Sequence, residues 1–142
     1  MNLSTYEQLK EVDGLKGEAK KKKFLEYYND NIAIRIIVEV IHSSTLKWLL
    51  PEGNPPFKKT TPEQDLQNVF KKDSRKIVYF LNTKEGTPLK PLKREMMYIE
   101  FLESLDHEDQ TLMTSVKTGK LPFKSINKRF LTSVIPDTVA KW

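Results

Sequence analysis

The segment from Ile32 to His42 limits the fold of this chain more than any other. It reads Ile32-Ala33-Ile34-Arg35-Ile36-Ile37-Val38-Glu39-Val40-Ile41-His42, apolar on nearly every side. A segment without a polar face has to be covered all round by the rest of the protein. Its β-branched residues leave a buried strand as the alternative to a helix. Its length, and Asp30 as a cap before it, favour a buried central helix. The chain has 142 residues, the size of one domain, and a single helical domain is expected over 1–142. Hydrophobic residues make up 38%, which is lean, but a chain this long can still bury a full core.

The flanking segments supply amphipathic cover. Ser4-Thr5-Tyr6-Glu7 reads as a capping box, followed by Tyr6, Leu9 and Val12 at helical spacing and a stop at Gly14. A second helix is expected from Glu18 to Tyr28 with Phe24, Leu25 and Tyr28 inward. Thr61-Pro62-Glu63-Gln64 reads as a helix start, with Leu66, Val69 and Phe70 continuing it and Ile77 to Leu81 following a polar break. Pro91 can open a helix over Leu92–Ser104 with Leu92, Met96, Ile99 and Leu102 on its inner face. Asp106 caps the next, with Leu112, Met113 and Val116 inward and Gly119 closing it. The last helix is expected over Ser125–Ser133, ending near Pro136. No alternating strand pattern occurs, so the fold class is all-α, a compact bundle of about six to eight helices.

Composition removes much chemistry. There is no cysteine, hence no disulfide, thiol nucleophile, iron–sulfur cluster or thiolate zinc site. Two histidines, His42 and His107, lack the spacing of a metal motif. His42 reads as a helix-terminal side chain facing the last carbonyls, and His107 as a first-turn surface residue. The carboxylate pairs Glu100/Glu103 and Asp106/Asp109 read as solvated helix faces. No glycine-rich phosphate loop is present. The expectation is a protein that is not an enzyme and carries no metal or cofactor. No apolar run reaches the ~20 residues of a membrane helix, so no membrane role is expected, and the N-terminus shows no signal-peptide pattern.

Charge gives the positive lead. The chain carries 24 Lys+Arg against 19 Asp+Glu, a net charge of +5. Lys20 to Lys23 read as a solvated face. A second basic cluster holds Lys71, Lys72, Arg75 and Lys76. The third holds Lys117, Lys120, Lys124, Lys128 and Arg129, with no acid between Ser115 and Phe130. There, a helix starting at Ser125 would present free amides to a phosphate, with Ser125 and Asn127 adding donors and Lys124 and Lys128 adding charge. Trp48, in an apolar segment ahead of the proline-rich loop Pro51–Pro62, reads as a core or partner contact.

The run Leu112-Met113-Thr114-Ser115-Val116, then Gly119, then Ser125-Ile126-Asn127-Lys128 and Val134-Ile135-Pro136 resembles the end of the N-terminal DNA-binding domain of ATP-dependent DNA ligases of T-even phage type. Leu9-Lys10-Glu11-Val12, the lysine run before Phe24 and the Trp48 segment are similar in the same order. Trp48-Leu49-Leu50-Pro51-Glu52-Gly53 and Lys93-Arg94-Glu95-Met96-Met97 are also similar to small proteins of tailed phages of marine bacteria. The ligase resemblance implies an all-helical module gripping duplex DNA by its phosphates, through the Gly119–Lys124 loop and Ser125, Asn127 and Lys128. Ligation itself requires a KxDG lysine and an adenylation domain. Lys10-Glu11-Val12-Asp13-Gly14 has one residue too many, and the chain reaches only Trp142. The expectation is therefore a phage accessory protein of the host cytoplasm that binds duplex DNA through Lys117, Lys120, Lys124, Ser125, Asn127, Lys128 and Arg129, with Lys71, Lys72 and Arg75. The alternative is a protein-interaction module that binds a replication, transcription or host protein through Trp48.

Overall fold

The segment Ile32–His42 is a helix along its whole expected length, and the other elements are laid around it. The computed structural model describes residues 3–142; Met1 and Asn2, part of the domain expected over 1–142, lie outside. In chain order the helices are α1 (Thr5–Asp13), α2 (Gly17–Asp30), α3 (Ile32–His42), α4 (Val69–Asp73), α5 (Pro91–Ser104), α6 (His107–Lys117), α7 (Lys128–Val134) and α8 (Pro136–Val139). A 3-10 helix, Ser74–Phe80, follows α4 directly. The protein is an all-α bundle, with no strand among the described residues beyond one isolated antiparallel bridge between Trp48 and Leu81.

Burial explains the arrangement. Ala33, Ile34, Ile37 and Val38 are fully buried on α3, which packs against α2, α4, the 3-10 helix and α6. Leu9 and Val12 from α1, Phe24 from α2, Phe101 and Leu102 from α5, and Leu112, Met113 and Val116 from α6 complete one core. The 3-10 helix buries Ser74, Ile77 and Phe80, every third residue, as three residues per turn require.

Local chemistry sets most boundaries. The capping box is complete: the Glu7 amide donates to Ser4 Oγ at 3.1 Å, and the Ser4 amide donates to Glu7 Oε1 at 3.0 Å. Asp106 caps α6 by accepting from the Glu108 amide. Gly119 follows that helix at φ 88°, a conformation that favours glycine. α3 is capped by Asn31 instead of Asp30: Asn31 Oδ1 accepts from the Ala33 amide at 3.0 Å. Asp30 faces outward and pairs with Lys71.

Three other expectations are corrected. Only half of the Thr61–Gln64 box forms: the Thr61 amide donates to Gln64 Oε1 at 3.3 Å, while the Gln64 amide donates to the Thr61 carbonyl at 3.2 Å. The Leu66 amide then turns back to the Gln64 carbonyl, out of helical register, so the helix starts at Val69. α5 buries Arg94, Tyr98, Phe101 and Leu102, leaving Leu92 70% and Met96 52% exposed. Arg94 causes this rotation. Its guanidinium is buried and donates to the carbonyls of Gly86 (2.9 Å), Leu89 (2.8 Å) and Leu49 (3.4 Å), pinning the turn before α5. Pro136 opens α8 where it was expected only to end the preceding helix.

The turn that Arg94 pins has no room for a side chain at Gly86. A Cβ there would lie 2.1 Å from the Leu81 carbonyl oxygen and 2.9 Å from that of Val78. The Trp48 segment runs alongside: the Leu49 amide donates to the Phe80 carbonyl at 2.8 Å, and the Asn82 amide to that of Lys47 at 3.0 Å.

Candidate nucleic-acid interface

The basic stretch after α6 is a loop tied down from beneath. Phe123 and Ile126 are buried, and the Phe123 ring packs tilted against Tyr6, 5.0 Å between ring centres and 59° between planes. Between these two anchors Lys124 faces outward while Ser125 turns inward. Lys120, Lys124, Lys128 and Arg129 are all exposed, and none has an ion-pair partner among the described residues.

Ser125 is used internally. Its hydroxyl and its amide both donate to Asp13 Oδ1 at the end of α1, and the Lys20 ammonium donates to the Ser125 carbonyl at 3.0 Å. The helix expected from Ser125 instead starts at Lys128, because Asn127 takes the cap position and accepts from the Phe130 amide at 2.9 Å. Asn127 Nδ2 donates to the Lys124 carbonyl at 3.3 Å. The free amides expected at Ser125 are therefore absent, and the Asp13 carboxylate lies under the loop.

Lys117 also has an internal role. The residue is 8% exposed, and its ammonium donates to the carbonyls of Pro51 (2.7 Å) and Gly53 (2.8 Å). Burial lowers its pKa from the usual lysine value, partly offset by the charge of Glu52. It holds the proline-rich loop against α6. Lys20, read as part of a solvated face, lies over the Phe130 ring at 4.7 Å as well as on the Ser125 carbonyl. Lys21 and Lys23 pair with neighbouring glutamates.

What remains is a groove of about 280 Å³ between the end of α3 and the loop, lined by Ile41, His42, Lys120, Leu121, Lys124 and Asn127 among others. His42 is the member that sequence reasoning assigned to the helix end alone. Its ring stacks on Trp142, 6.0 Å between centres and 10° from parallel. Its pKa is lowered, first by burial and then by the positive charge of Lys128. Lys128 follows Asn127, the last residue of the loop that lines the groove. The missing signal was tertiary: His42 and Lys128 are far apart in the chain.

The second basic cluster lies elsewhere. Lys71 pairs with Asp30 at 2.9 Å, and Lys76 with Asp73 at 3.7 Å, leaving Lys72 and Arg75 exposed. Lys71 meets the last residue of α2 and the Ser125 turn meets its fourth, about 15 Å apart at ~1.5 Å per residue. Trp48 is half-buried against the core beside its bridge to Leu81.

Asp106 and Asp109 are buried, contrary to the solvated faces expected for them. Asp109 Oδ1 accepts from the Tyr6 amide at 2.8 Å, and burial raises its pKa to about 7. Among the described residues no group of three or more His, Asp or Glu side chains is placed to hold a metal ion. No helix among them is long and apolar enough to cross a membrane.

Fold and groove define an all-helical protein with an unpaired basic loop beside a helix terminus. The chain belongs to the family of unknown function DUF6433, which it matches over residues 8–122. No curated protein matches it, and no solved structure does.

Proposed function

We propose that this protein is a non-enzymatic accessory protein that grips the backbone phosphates of duplex DNA with little sequence preference. The observation that most supports this reading is a set of exposed cations without ion-pair partners among the described residues: Lys120 and Lys124, which line the groove with His42, and Lys128 and Arg129, which follow at the start of α7. Unpaired cations on a loop and the first turn of the helix after it are suited to a phosphate chain, because each contact releases condensed counterions. Lys72 and Arg75 form a second contact region. Lys117 and Ser125 drop out of the contact set, because both are turned inward, Lys117 onto the proline-rich loop and Ser125 onto Asp13. The resemblance to the ligase domain favours duplex over single-stranded DNA, and the groove lacks the row of stacking aromatics that single strands use. In this reading the protein is phage-encoded, acts in the host cytoplasm and needs no cofactor.

The test is a double charge reversal, Lys124→Glu with Lys128→Glu, assayed by fluorescence anisotropy on labelled duplexes of unrelated sequence. Both side chains are exposed, so the helical circular dichroism should be unchanged. Affinity should fall at least ~10-fold on every duplex alike. Unchanged affinity would remove this loop from the interface.

One observation favours a second reading, a protein-interaction module for a replication, transcription or host protein. Leu92 and Met96, one turn apart on α5, are 70% and 52% exposed. Retention of a partner after nuclease treatment, lost in a folded Trp48→Ala or Met96→Glu variant, would support it over DNA binding.

A further inference from the structure

A second cavity, also of about 280 Å³, opens between the proline-rich loop and α5. Leu50, Pro55, Pro56 and Ile99 give it apolar walls, and Tyr98 and Lys117 line it as well. These two polar residues are nearly inaccessible, at 1% and 8% exposure. The Tyr98 hydroxyl has no hydrogen-bond partner among the described residues. A buried hydroxyl left unpaired is costly, and native proteins rarely keep one without a use. The Lys117 ammonium has three N–H donors, of which two reach the carbonyls of Pro51 and Gly53. No carboxylate lies within ion-pair distance of it among the described residues. The charge of Glu52 acts on it without reaching ion-pair distance, so the third N–H is left without a direct acceptor.

Two unspent donors, one of them cationic, therefore share one apolar cavity. We propose that the cavity binds a small monocarboxylate with an apolar body, its carboxylate accepting from Lys117 Nζ and Tyr98 Oη. The apolar walls take the body. Glu52 and Glu95 also line the cavity, and their repulsion grows with the negative charge of the ligand. A monoanion held by Lys117 is therefore favoured over a dianionic phosphate or a nucleic acid, and this site is distinct from the basic loop. Every residue named here lies within the stretch matched to the family, whereas Lys124, Lys128 and Arg129 lie beyond it.

Benzoate is the probe, followed by amide chemical shifts in nuclear magnetic resonance spectra of the intact protein. Saturable shifts are expected at Gly53, Asn54 and Ile99. Benzyl alcohol, with the same ring and no charge, should bind at least ~10-fold more weakly, as loss of a charged hydrogen-bond partner implies. Inorganic phosphate should not compete. Lys117→Met should abolish binding but can loosen the loop that Lys117 pins. Tyr98→Phe removes only a hydroxyl with no partner in the free protein. It should leave the melting temperature unchanged or higher while weakening benzoate several-fold. Absence of saturable shifts in the unaltered protein would overturn the proposal, as would equal benzoate affinity in Tyr98→Phe or competition by phosphate.

Discussion

Lys20, Arg94 and Lys117 spend their charge on backbone carbonyls of irregular segments. In sequence they are indistinguishable from Lys120 or Lys124, which face solvent, because their partners come from distant parts of the chain. Thus the sequence gathers Lys117, Lys120, Lys124, Lys128 and Arg129 into one cluster, and only the fold separates Lys117 and Ser125, which are turned inward, from the exposed members. The same holds for Asp109, whose burial comes from packing against α1. An unfolded aspartate ionises near ~3.9. In the fold, burial holds Asp109 protonated up to about 7. Between those values the folded chain binds a proton that the unfolded chain has lost. Its contribution to stability therefore falls as pH rises from about 4 to about 7, by at most ~1.4 kcal/mol per pH unit. Asn at this position keeps an acceptor for Tyr6 and cannot ionise. Asp109→Asn should melt higher than the parent at pH 7, with the difference shrinking towards pH 4. A difference constant across that range would contradict the assignment. Gly86→Ala tests sterics in place of charge. The new Cβ meets the Leu81 carbonyl oxygen at 2.1 Å, so urea denaturation should show a loss of at least ~2 kcal/mol. Parental stability would mean that the turn can shift.

At the scale of elements, the legible features are those in which one short segment holds both partners. The Ser4–Glu7 box, the Asp106 cap and the bounds of α3 depend on neighbours a few residues away. Two features escape because distant residues decide them: α5 is rotated by Arg94 reaching back to Leu49, and α7 starts late because Asp13 captures Ser125 and Asn127 takes the cap. A third fails locally: after Pro62 only half of the box forms, and the Leu66 amide bonds back to Gln64. Asn31 shows how tightly such ties are made. It caps α3 through Oδ1, while Nδ2 donates to Thr5 Oγ1 at 3.1 Å and Gln8 Oε1 at 2.9 Å. One buried amide thus joins α1 to the α2–α3 corner. Asn31→Ala removes a helix cap and leaves buried groups unpaired, a cost of about 2–4 kcal/mol by thermal or urea melting. A loss under ~0.5 kcal/mol would show that the corner is held by packing alone.

For the whole molecule, the all-α class follows from the lack of alternating strands and from one apolar segment that had to be enclosed. The shape of the charged surface does not follow, because the two basic clusters meet α2 at opposite ends. DNA binding by this body would be electrostatic, carried by Lys120 and Lys124 on the loop, Lys128 and Arg129 at the start of α7, and Lys72 and Arg75 apart from them. Affinity for a phosphate chain then scales with salt by ~0.9 logarithmic units for each phosphate neutralised. The most direct measurement is the slope of log affinity against log salt for a labelled duplex, taken for the parent chain and for Lys124→Glu with Lys128→Glu. The account predicts a slope of about −3 to −5 for the parent, shallower by roughly two in the variant. A slope near zero, or one that the double reversal leaves unchanged, would contradict it.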